Sequence, residues 1–280
     1  MVIRDVSDWC IIDEMTTGAR EKTWIKSNDN DEVIYLLKYP KTDGEIYAEF
    51  LSYVLGTKLF GIEIPETIVA VYDGRKCVLS KDFVGENSEF LEIIDFFGAD
   101  FDKNNLLEYT IDRALMICKK YNIEALFFKM LFFDYLIGNQ DRHCENWGLI
   151  YDINISEYRM SPVYDNGSSL LNGYADKRID QMLTDKQMLE AYINRAKSIF
   201  TVNGVKNPEY KILLEYLLEY DYNLFKKTVE ELSVSEKDLM TVLNINTYNE
   251  ISENRYQILS KIILRKSEIL HEYVKGGDTK

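Results

Sequence analysis

The spacing of apolar residues changes character part-way along this chain. Up to about residue 84 the apolar runs are short and β-rich. Val33 to Tyr39 (V-I-Y-L-L-K-Y) is a strand stopped by Pro40. Thr67 to Tyr72 and Cys77 to Phe83 are two more strands, and Asp73-Gly74 between them signals a hairpin turn. Between the first strand and the hairpin, Ile46, Phe50, Tyr53 and Val54 fall at helical spacing and predict a helix over 45–59. From Asn87 onward the 3.6-residue period dominates. It predicts helices over 106–121, 123–137, 183–200, 208–229, 235–243 and 250–274, with Asn203-Gly204 and Asn207-Pro208 as turns. A loop with strand-like pieces, 138–171, interrupts this half. The pattern predicts an α+β, two-lobed molecule: residues 1–84 a small β-rich lobe with one main helix, residues 85–280 a larger helical lobe.

Composition narrows the function classes. The chain has 280 residues, 46% hydrophobic and 29% charged, which suits a globular protein with a sizeable core. Its formal net charge is −14. A surface that displaces counterions from nucleic acid needs the opposite sign, so no direct nucleic-acid contact is expected. A nucleotide is a different matter, since a few cations and amides hold its phosphates locally. The four cysteines are scattered with no C-x-x-C pair, and no run has the length of a signal peptide or membrane span. A reducing, cytoplasmic setting is expected, with a secreted effector as the alternative.

The chemistry concentrates in Gly138 to Gly148, G-N-Q-D-R-H-C-E-N-W-G, and in M-S-P-V-Y-D-N-G-S-S at 160–169. Asp141 and Asn146 share one loop. A short hairpin folding back after it would bring Asp165 beside Asn146. Magnesium takes a few hard oxygens from protein and the rest from water and phosphates. A free carboxylate close by positions and deprotonates an attacking hydroxyl. Singly, Asp141 and Asp165 read equally well as turn residues; together with Asn146 and Lys38, in this order, they read as a phosphotransfer site. His143 and His271 are too far apart for a histidine metal site. A triad of His143 with Ser168 or Ser169 lacks the G-x-S-x-G elbow that would present the serine. The row Phe127, Phe128, Phe132, Phe133 and Tyr135 reads as core beneath the loop, and Cys144 carries no assigned role.

This pair of segments resembles the HipA-like kinases, relatives of protein kinases and of phosphatidylinositol 3/4-kinases. The family pattern G-N-x-D-R-H-x-x-N followed by P-x-Y-D is matched by Gly138 to Asn146 and by Pro162 to Asp165. The resemblance covers roughly residues 10–270 and implies a protein-kinase-like fold using ATP and Mg2+. Asp141 is then the catalytic base, and Asn146 and Asp165 hold the metal. Lys38 is the phosphate-binding lysine, held by Glu49, with Glu45 as the competing partner. His143 packs to hold the catalytic loop, and Arg142 does the same by pairing with an acid. Thr16 to Thr23 resembles the family's phosphate loop and assigns nucleotide contacts to Gly18, Ala19, Arg20 and Lys22, with Arg20 where a glutamine is usual. Leu79 to Phe83 resembles the adenine hinge, with Lys81 and Phe83 as the contacts. The longer family members carry an additional N-terminal subdomain that this chain is expected to lack.

The resemblance implies a serine/threonine kinase acting on a protein. Autophosphorylation at Thr16, Thr17 or Thr23 follows from it, as does a small antitoxin partner if the chain is a toxin. Two readings stand beside it: a lipid or small-molecule kinase of the phosphatidylinositol-kinase-like group, and a nucleotide-binding module without catalysis.

Overall fold

The computed structural model describes residues 3–13, 21–29 and 31–277. Its first lobe is a six-stranded sheet of β1 (Arg4–Asp5), β2 (Cys10–Asp13), β3 (Lys22–Lys26), β4 (Ile34–Lys38), β5 (Thr67–Tyr72) and β6 (Arg75–Lys81). The strand order is β1-β5-β6-β4-β3-β2. Asp73 (φ 49°) and Gly74 (φ 72°) both sit in the left-handed region, which closes the tight β5–β6 hairpin. Strand β6 stops two residues short of Phe83. The Lys81 N–H donates to Glu66 O, and the Asp82 carboxylate turns the chain by accepting Val84 N–H.

Helix α1 (Asp43–Leu55) begins where Thr42 accepts the Glu45 amide, and it runs into a π-helical turn, Gly56–Phe60, that ends at left-handed Gly61. The pleat sends alternate residues of β4 to opposite faces. Leu37 and Tyr35 join Ile25, Ala70, Cys77 and Leu79 in a small core closed by Val6 and Trp9. The other face carries Lys38, with Lys22 and Val78 directly across from it. Val78 and Val69 on that face pack into the main core with Ile46, Leu51 and Leu55 of α1.

The second part holds β7 (Ser88–Glu92), α2 (Ile111–Lys120), α3 (Glu124–Ile137), β8 (Gly148–Asp152) and β9 (Glu157–Met160). It continues with α4 (Asp176–Thr184), α5 (Lys186–Asn194), α6 (Tyr210–Tyr220), α7 (Tyr222–Glu231), α8 (Glu236–Val242) and α9 (Glu253–Gly277). Three departures from the sequence expectation have local causes. Helix α2 starts at 111 rather than 106, because Thr110 caps it by accepting the Arg113 amide. The single helices expected over 183–200 and 208–229 each break at an aspartate. Asp185 and Asp221 adopt extended backbone and accept the amides of Met188 and Leu224. Strand β7, absent from the sequence reading, pairs antiparallel with β8 in a three-stranded sheet with β9.

Helix α9 is tied to the rest through two buried basic side chains. The Arg255 guanidinium donates to Tyr47 Oη of α1 (2.7 Å), to the carbonyls of Leu171 (3.2 Å) and Tyr174 (2.7 Å), and to Asp176 (2.7 Å). Lys266, with no exposed surface, donates to the Tyr135 carbonyl at the end of α3 (2.6 Å).

Candidate functional site

Helix α3 ends at left-handed Gly138, which releases the chain into the loop 139–147. A buried ion pair organises that loop. Asp134, fully buried in α3, receives Arg142 Nε at 2.9 Å and Nη2 at 2.8 Å. This bidentate contact offsets the desolvation of both charges. Burial opposes the Arg142 charge, but the Asp134 carboxylate outweighs it and holds the guanidinium firmly protonated. Arg142 also donates to Asn146 O (2.8 Å), to Tyr164 O and to the Asn166 side chain (2.7 Å). One side chain thus fixes both the loop of Asp141 and the loop of Asp165.

Around this brace the polar residues converge. Asn139 donates to Asp134 and accepts the Asp141 N–H at 3.1 Å. Asn146 Nδ2 donates to the Asp141 carbonyl at 2.7 Å, which leaves its amide oxygen as the end available to a cation. Ser168 Oγ lies 3.4 Å from Asp141 Oδ2. Asp165 is held at φ 57°, a conformation that asparagine and aspartate tolerate better than most residues. Its carboxylate lies 3.9 Å from Lys38 Nζ, and Glu49 Oε1 lies 3.8 Å from the same nitrogen. Glu49 Oε2 accepts the Asn166 N–H at 3.0 Å. Glu45, the competing partner, accepts the Lys41 amide at its own helix start instead.

The remaining expected residues divide. Lys22 stands beside Lys38 on the same sheet face. Phe83 stacks on Tyr164, the neighbour of Asp165, with ring centroids 5.7 Å apart, and meets Phe90 edge-on. His143 Nδ1 accepts the Glu145 N–H at 3.2 Å, a brace within the loop. Lys81 does not join the cluster. It pairs in register with Tyr35, so the pleat points it to the far face, where it meets Glu66 at 3.6 Å, and its N–H is already taken by Glu66 O. Thr23 likewise shares the Leu37 face, away from Lys38. Gly18, Ala19 and Arg20, with Thr16 and Thr17, lie outside the described residues. The Cys144 thiol is pushed up to about 11 by burial and by Glu145, which keeps it unreactive.

Among the described residues no cluster of three or more His, Cys, Asp or Glu side chains forms a metal cage. The Asn146 amide oxygen and the Asp165 carboxylate, on two loops fixed by Arg142, are donors of the kind a magnesium ion takes beside water and phosphate oxygens. Asp134, Asn139 and Asn166 were not singled out from the sequence. The available signal was an aspartate inside the apolar run Phe132-Phe133-Asp134-Tyr135-Leu136, a place that demands a buried partner.

The model of the HipA-like C-terminal domain matches residues 15–217. The serine/threonine-protein kinase CtkA of Helicobacter pylori is 28% identical over 196 residues, 63% of this chain and 59% of that protein, so the match spans less than two thirds of the relative. The crystal structure of the Helicobacter pylori proinflammatory kinase CtkA aligns with a TM-score of 0.81 at 21% identity, covering 99% of this chain and 98% of that one. HipA of Shewanella oneidensis MR-1, solved with HipB and its operator DNA, aligns with a TM-score of 0.64 at 13% identity, covering 98% of this chain and 70% of that one. The fold is therefore the two-lobed, kinase-like α+β architecture of these proteins. The presence of DNA in the Shewanella complex leaves the charge-based expectation of no direct nucleic-acid contact without support. No helix among the described residues is long and apolar enough to cross a membrane.

Proposed function

The chain belongs to the HipA-like C-terminal domain family, and on that premise we propose that it is an ATP- and Mg2+-dependent kinase that phosphorylates serine or threonine hydroxyls on a protein. Residues 1–84 form the nucleotide lobe and 85–280 the catalytic lobe. The observation that carries the reading is the unbroken set of contacts from Lys38 through Glu49 to Asn166, and from Asn166 through Arg142 to the Asp141 loop. It joins a phosphate-seeking cation in one lobe to a carboxylate base in the other.

Each residue has a task in that scheme. Lys38, aligned by Glu49, takes the nucleotide phosphates together with Lys22, and the family resemblance assigns the same task to Gly18, Ala19 and Arg20. Phe83 and Tyr164 offer aromatic surface to the adenine. Asn146 and Asp165 hold the magnesium, whose charge neutralises the phosphates when it is bound. Asp141 orients the acceptor hydroxyl and takes its proton as the phosphoryl group leaves ATP. Thr16 and Thr17 remain as self-acceptors, to be found by mass spectrometry after incubation with ATP; no added phosphate on either removes that assignment. A small antitoxin protein is the expected partner, and the cytoplasm the expected site of action.

The test is transfer from radiolabelled ATP to a generic protein acceptor by the wild type and by Asp141→Asn. Incorporation by the wild type that falls at least a hundredfold in the variant, with the far-UV spectrum retained, supports the scheme; a general base contributes about 10²–10⁴-fold. Equal incorporation by both removes Asp141 from its role.

A further inference from the structure

A cavity next to the Asp141 loop is left unused by the phosphotransfer scheme. Beside the catalytic loop a cavity of about 250 Å³ is lined by Gln140, Tyr174, Arg178, Met182, Tyr192 and Arg195, among others. Gln140 immediately precedes Asp141, so the lining of the cavity includes the chain neighbour of the proposed base. The floor is fixed: Met182 is buried, and Tyr192 packs its hydroxyl against Gly138 so closely that an added Cβ there would sit 3.0 Å from it.

The two arginines are unusual in this molecule. Acidic residues outnumber basic ones 47 to 33. Most described arginines meet a carboxylate: Arg4 with Asp29, Arg75 with Glu21, Arg142 with Asp134, Arg159 with Glu63, Arg255 with Asp176 and Arg265 with Glu190. Arg113 gives its guanidinium to the carbonyls of Phe97 and Glu108. Arg178 and Arg195 have no ion pair and no side-chain hydrogen bond among the described residues. The acids near them are engaged elsewhere: Asp176 with Arg255, Asp180 with Asn254, Asp185 with the Met188 amide and Glu190 with Arg265. The Arg178 guanidinium stacks over Tyr174, its carbon 5.3 Å from the ring centroid, which orders the side chain while leaving its edge donors free. Two guanidinium groups without a carboxylate partner, Arg178 ordered by its stacking, line one cavity and suit an anion.

Resting on the kinase reading above, we propose that Arg178 and Arg195 form an acceptor subsite that recognises a carboxylate side chain a few positions from the serine or threonine to be phosphorylated. An extended peptide advances about 3.3 Å per residue, so an acid within roughly four residues of the acceptor hydroxyl reaches the arginines while the hydroxyl faces Asp141. The acidic excess of the chain repels such a peptide, which favours contact at the two arginines.

Two measurements test this separately from the kinase reading. The first is binding without turnover: anisotropy of a labelled serine peptide carrying glutamates on both sides of the serine, against the same peptide with glutamines. The glutamate peptide is expected to bind about tenfold more tightly at low salt, with the gap closing as salt is raised. R178Q/R195Q is expected to erase the difference, and R178K/R195K to retain part of it. Equal binding of both peptides by the wild type, or a preference that survives R178Q/R195Q, overturns the subsite. The second is phosphate transfer to the same two peptides. Transfer without acid preference overturns the subsite alone. No transfer to either peptide, with the binding preference intact, overturns the kinase reading and upholds the anion site.

Discussion

Glu49 Oε2 accepts the main-chain N–H of Asn166 at 3.0 Å, across 117 residues of sequence. Its other oxygen faces Lys38. The glutamate therefore reads the position of the Asp165 loop and that of Lys38 together. Moving helix α1 would release both at once.

Glu49→Gln keeps the size and removes the charge. A charge-assisted hydrogen bond contributes about 1.5–3 kcal/mol, so kcat/KM for phosphate transfer is expected to fall roughly 10–100-fold. Steady-state kinetics with varied ATP checks this, and wild-type kinetics in the variant would remove Glu49 from the assembly.

Arg142→Met leaves Asp134 charged, buried and unpaired. The expected loss of stability is about 3–5 kcal/mol, measured by urea unfolding. Adding Asp134→Leu is expected to restore much of the stability. Activity stays lost in the double variant, because the contacts to Asn146 O, Tyr164 O and Asn166 are gone. Recovery of activity alongside stability would show that the brace serves folding alone.

Burial lowers Lys266 from an ordinary value of 10.5 to about 7. Between those values the unfolded chain keeps a proton that the folded chain has released, so this group makes stability rise with pH across that window. Below it both states are protonated, and the full cost of a buried ammonium applies. The stability of the wild type relative to Lys266→Met is therefore expected to improve steadily from pH 7 to pH 9 in urea titrations. A flat difference would show that the amine stays charged in the folded protein.

Gly148 ends the catalytic segment where β8 passes close to β7. A Cβ there would lie 2.2 Å from the Leu91 carbonyl oxygen, a main-chain atom held by the strand pairing. Gly148→Ala is expected to cost about 1–3 kcal/mol, visible as a lowered thermal midpoint. An unchanged midpoint would mean that β7 yields freely.

The residues that gather at the cleft were legible in the sequence where they lie in one short segment. Asp141, Asn146 and Asp165 stand within two neighbouring loops, where each alone reads as a turn residue and only their order suggests a shared task. What escaped depends on distant pairing or on parity. Asp134 lies in an apolar helix, and only the fold shows that Arg142 reaches it. The position of Lys81 near Phe83 suggests a hinge contact, but sheet register decides which face a residue takes, and a strand sequence alone does not show that Lys81 and Lys38 lie on opposite faces. Strand β7, S-E-F-L-E, carries too many acids to read as a strand until β8 is beside it. The breaks at Asp185 and Asp221 follow from capping, which competes with a helical period that continues through both.

Arg255 has a consequence for the order in which the molecule can be completed. All the acids and amides of the cleft have been synthesised by residue 166, yet the guanidinium that fastens α1 to the segment after Asp165 emerges from the ribosome much later. Since chains fold from the N-terminus as they are made, the growing polypeptide carries its whole reactive set well before it gains the clasp that holds the two halves in register. The clasp from α1 to the Leu171 segment is thus fastened only after everything it holds has been made.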